Sequence, residues 1–335
     1  MASWIENAEA RAHIVLGQLA AAMALAPKAG LSPEEVARPY MDLLDDLYKN
    51  EMPMARLMDT SDLIVELKGP AVDSDSPALR VVSGAFFTIR EEAQRVTRAI
   101  VGLSGNKKAP RIPSAFELAL TGLARGSLNV GVRVSRPSEV ALGETPQILG
   151  DNDPLYETVR NAIRGIAVVT KHVSDEGIDS SIIDDIPDPA VRDAVSVAAK
   201  RLSPTGRHGI ATVSLYSPDV RERTHHLTPA TRRILTASLR RPVRSKRSGK
   251  FEGIVREIDL DARRFEIRNV RGQGAIRCVY DEKLDERARK FLDARVAVHG
   301  LVDRAPDGQI RLMQVDDIKI VTPARIVKQG NLKLS

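Results

Sequence analysis

The chain has 335 residues, enough for two or three domains, with 43% hydrophobic residues and 50 lysines and arginines against 44 acidic residues, a net charge of +6. No run of about 18 apolar residues argues for a membrane span, and Met1-Ala2-Ser3-Trp4-Ile5-Glu6 lacks the basic and apolar blocks of a secretion signal. A single cysteine, Cys278, excludes an internal disulfide and reads as a small buried hydrophobe, so a reducing cytoplasm is the expected setting and no membrane partner is expected.

Residues 3–25 are expected to form a helix with Ile5, Ala8, Ala12, Leu16, Leu19 and Met23 on one side. Its alanine-rich end, Ile14 to Pro27, suits a packed helix. Leu31-Ser32-Pro33-Glu34-Glu35 marks the next start, with Ser32 as the cap, Pro33 in the first turn and Glu35 reaching back. That helix carries Val36, Tyr40, Leu43, Leu44 and Leu47 inward and leaves Asp42, Asp45 and Asp46 as a solvated face. Asp62 to Leu67 reads as a strand and Leu79 to Leu103 as a helix with an extended start at Ala85–Ile89. Ser114 to Leu123 reads as a further helix, and Leu128 to Val134 alternates as the cleanest strand of the first half.

A loop from Ser135 to Asp153 follows, then a helix over Pro154–Val173, an acidic irregular stretch to Pro189, and a helix from Pro189 to Leu202. A strand at Ile210–Leu215 precedes a helix begun by Thr228-Pro229. Three strands separated by pairs of helices define an α+β N-terminal domain over residues 1–231, a small sheet with several helices, divisible near 136–153.

No catalytic residue, cofactor or metal site emerges. Gly122, Gly126 and Gly131 match neither phosphate-binding glycine fingerprint and read as backbone geometry. His208 and the His225-His226 pair have neither HExxH spacing nor a cysteine pair beside them, and Gly-x-Ser-x-Gly is absent. The strongest local signal is charge. Residues 232–250 contain no acidic side chain, and Arg240, Arg241, Arg244, Lys246, Arg247 and Lys250 make a basic connector suited to phosphates, kept mobile by Ser245, Ser248 and Gly249.

Residues 251–321 read as strands at Phe251–Leu260, Arg264–Val270 and Ala275–Tyr280, a helix at Glu282–Leu292, and strands at Arg295–Val302 and Gln309–Val321, before a tail at 322–335. Ile254, Ile258 and Leu260 are expected to face inward in the first strand, with a bulge near Val255; Leu284, Ala288, Phe291 and Leu292 give the helix its apolar side.

This order, with Gly253, Gly300 and the Pro306-Asp307-Gly308 turn, resembles the OB-fold superfamily, which implies a C-terminal all-β, five-stranded OB-like barrel. Oligonucleotide-binding members use the face of strands two and three, so the resemblance implies Arg264, Arg268, Arg271 and Arg277 beside a ligand, with Tyr280 as the stacking candidate and Phe251, Phe265 and Phe291 buried. The whole chain, with Glu51-Met52-Pro53-Met54-Ala55-Arg56-Leu57 ahead of a strand, a long helix, another strand and the barrel, is similar to uncharacterised prokaryotic proteins associated with mobile or defence loci. That likeness implies an accessory component and carries no activity. The expectation is a non-enzymatic accessory protein that binds nucleic acid through connector and barrel. Its alternative is an antitoxin-like or scaffold subunit whose barrel docks a partner protein, with a homo-oligomer as a further partner state.

Overall fold

The computed structural model describes residues 3–73, 77–103, 118–124, 128–136, 154–174, 176–207, 209–220 and 226–323. In chain order these form α1 (Trp4–Leu25), α2 (Pro33–Asp46), α3 (Met52–Thr60), β1 (Leu63–Lys68), α4 (Leu79–Leu103), β2 (Leu118–Ala124) and β3 (Leu128–Val134). Then come α5 (Pro154–Val168), β4 (Val173–Ser174), β5 (Gly177–Ile178), α6 (Ile182–Asp185), α7 (Pro189–Leu202), β6 (Thr212–Tyr216), β7 (His226–Leu227) and α8 (Pro229–Ser238). The last part holds β8 (Ser248–Asp259), β9 (Arg264–Arg268), β10 (Ile276–Tyr280), α9 (Asp285–Ala288), β11 (Arg295–Arg304) and β12 (Ile310–Thr322). Several expectations fall outside the described residues: His208, His225, Gly126, the helix start at Ser114, the loop over 137–153 and the tail from 324.

The chain forms two compact units, Met1–Gln94 with Pro113–Lys171 and Ala199–Arg232, and Arg95–Ile112 with His172–Ala198 and Arg233–Ser335. The barrel therefore shares its unit with residues 172–198, which the sequence pattern alone assigns to the first domain.

The first unit is built on an antiparallel sheet in the order β2-β3-β1-β6-β7. Leu63, Ile64, Val65 and Leu67 are all buried, because β1 lies centrally and is covered on both faces. Two carboxylates, Asp62 just before the strand and Glu66 within it, are compensated by their neighbours. Asp62 receives Arg160 Nε at 2.8 Å, Arg164 Nη2 at 2.8 Å and the Val134 amide at 3.0 Å, while Glu66 accepts the Tyr216 hydroxyl at 2.6 Å.

Leu118–Ala124 is a strand where helix was expected. Its leucines and alanines favour helix, and pairing with β3 overrides that local propensity. Gly131 explains itself there, since a Cβ would lie 2.5 Å from both Ser61 Oγ and Thr121 Oγ1. Ala85–Ile89 is helical throughout rather than extended.

At the N-terminus, Ser3 and Glu6 form a reciprocal capping box on α1. Ala8, Ala12 and Val15 pack with Leu44, Leu47, Met52 and Ala55. The other side of α1 is open: Ile14 is 61% exposed and Leu25 59%, and Leu16 and Met23 are also exposed, so only one side of the helix is packed. Against the expectation from the sequence, Trp4–Ala29 is by length and composition alone apolar enough to cross a membrane, a test that a packed core helix also passes. On α2, Ser32 makes no side-chain cap bond, and Leu43 is exposed instead of inward.

In the second unit β8, β9, β10, β12 and β11 close a barrel in that order, with β11 returning to β8. Every pairing is antiparallel except β10 with β12. Val255, Phe265, Ile267, Ile276, Cys278, Phe291, Val298 and Met313 fill the interior. The register shift falls between Val255 and Glu257, near the expected bulge, and it turns Val255 inward while Ile254 is only half-buried. Gly300 must be glycine because a Cβ would run into the Gln314 carbonyl oxygen. The helix between β10 and β11 is shorter than expected, a 3-10 turn at Glu282–Leu284 followed by the single turn of α9, and Leu292 is exposed. Gly308 takes the positive φ that the Pro306-Asp307-Gly308 turn requires.

Candidate nucleic-acid interface

Eleven residues are candidates from the sequence, and the structure divides them by what their side chains touch. The outer face of β9 and β10, where Arg264 and Arg277 lie, is covered by α7. Asp193 of that helix is fully buried and takes both arginines: Arg264 Nη2 at 2.9 Å and Nε at 2.9 Å, and Arg277 Nε at 2.6 Å. Arg264 spends its remaining donors on the Ala262 and Leu239 carbonyls. Ala190 against Ala275, and Val197 with Leu239 and Ala262, complete the cover with small apolar contacts.

Burial would raise the Asp193 carboxyl, but Arg264 and Arg277 together overcome that penalty and hold it below the ordinary carboxylate range. Arg264 is thus a structural cation that no ligand reaches, and Arg277 is tied down beside it. Both expectations are corrected, because the Arg264 fork is filled by a buried carboxylate and Arg277 is largely buried and held to the same carboxylate through Nε.

Tyr280 is corrected as well. It is 2% exposed and points into the barrel, where it packs against Phe265 with ring centroids 5.9 Å apart. Burial pushes its hydroxyl up to about 12. A ring held there cannot stack on a base. Phe265 and Phe291 are buried as expected, and Phe251 partly so. Arg268 is half-buried and bonded through Nε to Glu266, whose own carboxyl is raised by burial despite that arginine. Arg271 is exposed beyond the end of β9.

The connector behaves differently. Arg240, Arg241, Arg244, Lys246, Arg247 and Lys250 are all exposed. The segment is not the mobile arm that its serines and glycine suggest. Asp303, itself buried, accepts the Arg244 amide at 2.9 Å and the Ser245 amide at 2.8 Å. The Arg247 carbonyl accepts the Val302 amide at 2.9 Å, and the Arg240 carbonyl accepts Gln314 Nε2 at 3.1 Å. From Ser248 onward the chain is already barrel strand, with Ser248 opposite Leu301 and Lys250 opposite His299. The backbone is fixed along the barrel edge while the basic side chains project from it, apart from Arg244, which donates to the Ile178 and Asp179 carbonyls.

Sequence reasoning misses both Asp193 and Asp303, although the first leaves a signal. Asp193 falls three residues after Ala190 and four before Val197, on the apolar stripe of an amphipathic helix, where a carboxylate implies a buried cationic partner.

His172 is another residue that its sequence context does not mark. Its Nδ1 lies 2.9 Å from Ser181 Oγ and its Nε2 2.9 Å from Asp185 Oδ2, the order of a nucleophile relay. The nearby amides are spent, Ser181 N on Asp179 and Ile183 N on the Ser180 carbonyl, so these two form no oxyanion hole beside it. It reads as a turn-stabilising network at the start of α6.

Among the described residues no group of three or more acidic, histidine or cysteine side chains is placed to hold a metal, and the acidic side chains of α2 pair locally, Asp45 with Lys49 and Asp46 with Asn50. Cys278 is buried in the barrel, where desolvation raises its thiol far out of the reactive range. Comparison with family models, with curated proteins and with solved structures finds no match to this chain.

Proposed function

We propose that this is a non-enzymatic accessory protein of the cytoplasm that binds nucleic acid along the connector edge of its barrel unit, and not across the face of β9 and β10. The barrel is read as an OB-type module, supported by its strand order, the parallel pairing of β10 with β12 and the helical turn between β10 and β11. One observation carries the reading. Arg240, Arg241, Lys246, Arg247 and Lys250 project from a backbone whose amides and carbonyls are pinned by Asp303, Val302 and Gln314, while Arg244 reaches back to the Ile178 and Asp179 carbonyls, so the cations are presented on a fixed track. Such a track neutralises phosphates at a smaller ordering cost than a free arm, and its affinity falls steeply with salt.

Fluorescence polarisation with single-stranded DNA, duplex DNA and RNA across a sodium chloride series tests this. Neutralising Arg240, Arg241, Arg244, Lys246 and Arg247 to glutamine should flatten the slope of log affinity against log salt by about 0.9 for each duplex phosphate that is no longer neutralised. Replacing Arg271, exposed elsewhere, should change little. Equal affinity for wild type and the neutralised variant at low salt would overturn the reading.

A second reading is favoured by α7. The outer face of this barrel already takes a helix through a buried ion pair and alanine contacts, so the module is suited to docking protein segments. Under that reading the partner is a protein, in an antitoxin-like or scaffolding role, and its complex is insensitive to salt.

A further inference from the structure

Within the barrel unit a cavity of about 260 Å³ opens between α7, the hairpin of β4 and β5, and the start of the connector. Arg192, Arg241 and Arg244 line it, with the Ser196 and Ser238 hydroxyls and Glu176. Arg192 is the unusual member. It is 8% exposed, uses Nη1 on the Ile186 and Pro187 carbonyls, at 2.8 and 3.3 Å, and forms no ion pair with a carboxylate among the described residues.

The acidic groups nearby are committed elsewhere. Asp193 is matched by Arg264 and Arg277, Asp303 by the connector amides, and Asp188 caps α7 through the Ala190 and Val191 amides. Arg244 turns its guanidinium to the Ile178 and Asp179 carbonyls, which carry no formal charge. Against three guanidinium groups the lining sets two carboxylates, the exposed Glu176 and Asp193, which Arg264 and Arg277 already match. Desolvation lowers the Arg192 pKa, with Asp303, Asp188 and Asp193 opposing that shift and Arg244 reinforcing it, so an anion entering the cavity would ease the burial of the charge.

We infer that this cavity is a binding site for a phosphate monoester group, with Arg192 as its buried floor and Arg241 and Arg244 closing over the oxygens. A guanidinium presents paired donors to phosphate oxygens, and serine hydroxyls supply neutral donors between them. The volume lies below that of drug-sized pockets, in keeping with a phosphate on a small body. The site shares Arg241 and Arg244 with the connector, but Arg192 and Ser196 belong to α7 and take no part in the exposed track, so Arg192→Met separates this inference from the connector reading.

Isothermal titration of the full chain with inorganic phosphate, ribose 5-phosphate, and a short oligonucleotide with and without a 5′-phosphate tests it at fixed ionic strength. Saturable one-site binding is expected for the phosphorylated probes, and the 5′-hydroxyl oligonucleotide should lack that component. Preference for the phosphorylated oligonucleotide over ribose 5-phosphate would identify a nucleic-acid end as the source; equal affinity would identify a small phosphate ester. Arg192→Met should weaken binding at least about tenfold, as expected when a charge-assisted bond is removed, while leaving the salt-dependent retention on heparin unchanged. Should Arg192→Met misfold, Arg241→Ala should weaken phosphate binding by the same factor from an exposed position, with a small loss of heparin retention because Arg241 also belongs to the track. Absence of saturable binding for every phosphorylated probe, or binding unaltered in a folded Arg192→Met or Arg241→Ala protein, would overturn it.

Discussion

Two sets of arginines on one barrel unit have opposite fates. On β9 and β10, Arg264 and Arg277 are closed over by α7 and share a single carboxylate, Asp193; on the connector, Arg240, Arg241 and Arg247 stand in solvent while the backbone beneath them is held. The residue type is the same and the neighbours differ. A guanidinium becomes structural when a buried carboxylate fills its fork, and it stays open to a ligand when only its backbone is engaged. The distinction is energetic: the first kind is costly to disturb, the second nearly free.

Disturbing Asp193 should give the largest effect. Asp193→Ala leaves Arg264 buried without its counter-charge, and breaking a buried pair from one side costs about 3–5 kcal/mol. Urea unfolding followed by circular dichroism measures this, and a cost under about 1 kcal/mol would show that α7 does not hold the face closed. The pH dependence has a definite sign. Because the folded pKa of Asp193 is depressed, its contribution is complete above the ordinary carboxylate value near ~4 and is lost as pH falls through the folded value. The gap between wild type and Asp193→Asn should therefore be widest near neutrality and close in acid.

Asp303→Ala comes next. It strips acceptors from the Arg244 and Ser245 amides without touching a basic side chain, at an expected cost of about 1–3 kcal/mol. Hydrogen exchange should show those amides opening, and nucleic-acid affinity should fall although every cation remains. Unchanged affinity would mean that charge alone matters and the fixed track does not.

Glu266→Gln sharpens the contrast within one face. Burial raises the Glu266 carboxyl despite Arg268, so its native state is favoured as pH falls from the raised value towards the ordinary value near ~4.3, the reverse of Asp193. At neutral pH the glutamine variant should be as stable as wild type or more so by up to about 1 kcal/mol, and the difference should vanish on acidification. Denaturant midpoints at two pH values decide it.

Much of this was legible in the sequence, for reasons that differ by region. The barrel could be read because its alternation and turns are local: Phe265 and Ile267 face in, Gly308 reverses the chain, and β3 and α7 fall where their patterns place them. The strand at Leu118–Ala124 could not, because leucine and alanine there are equally at home in a helix until β3 offers a partner. The fate of the arginines was hidden for a similar reason. Asp193 precedes Arg264 by 71 residues, and nothing local to Arg264 announces a carboxylate arriving from α7. The connector's basic run was plain, yet its fixed backbone depends on Asp303, which lies 59 residues from Arg244.

Tyr280→Phe should have the smallest effect and separates burial from ligand binding most cleanly. The Tyr280 hydroxyl is buried without a hydrogen-bond partner among the described residues, and an unmatched buried hydroxyl is a net cost. Removing it while keeping the ring against Phe265 should stabilise the barrel by about 1 kcal/mol or leave it unchanged. Polarisation with single-stranded DNA should give the same affinity for both proteins. Spectrophotometric titration should show late-ionising tyrosines, Tyr156 raised by burial and Tyr280 pushed up to about 12, and Tyr280→Phe should lose the Tyr280 share of that late phase. If the variant instead binds nucleic acid more weakly, the β9 and β10 face opens in solution, and the division between structural and ligand-facing arginines fails with it.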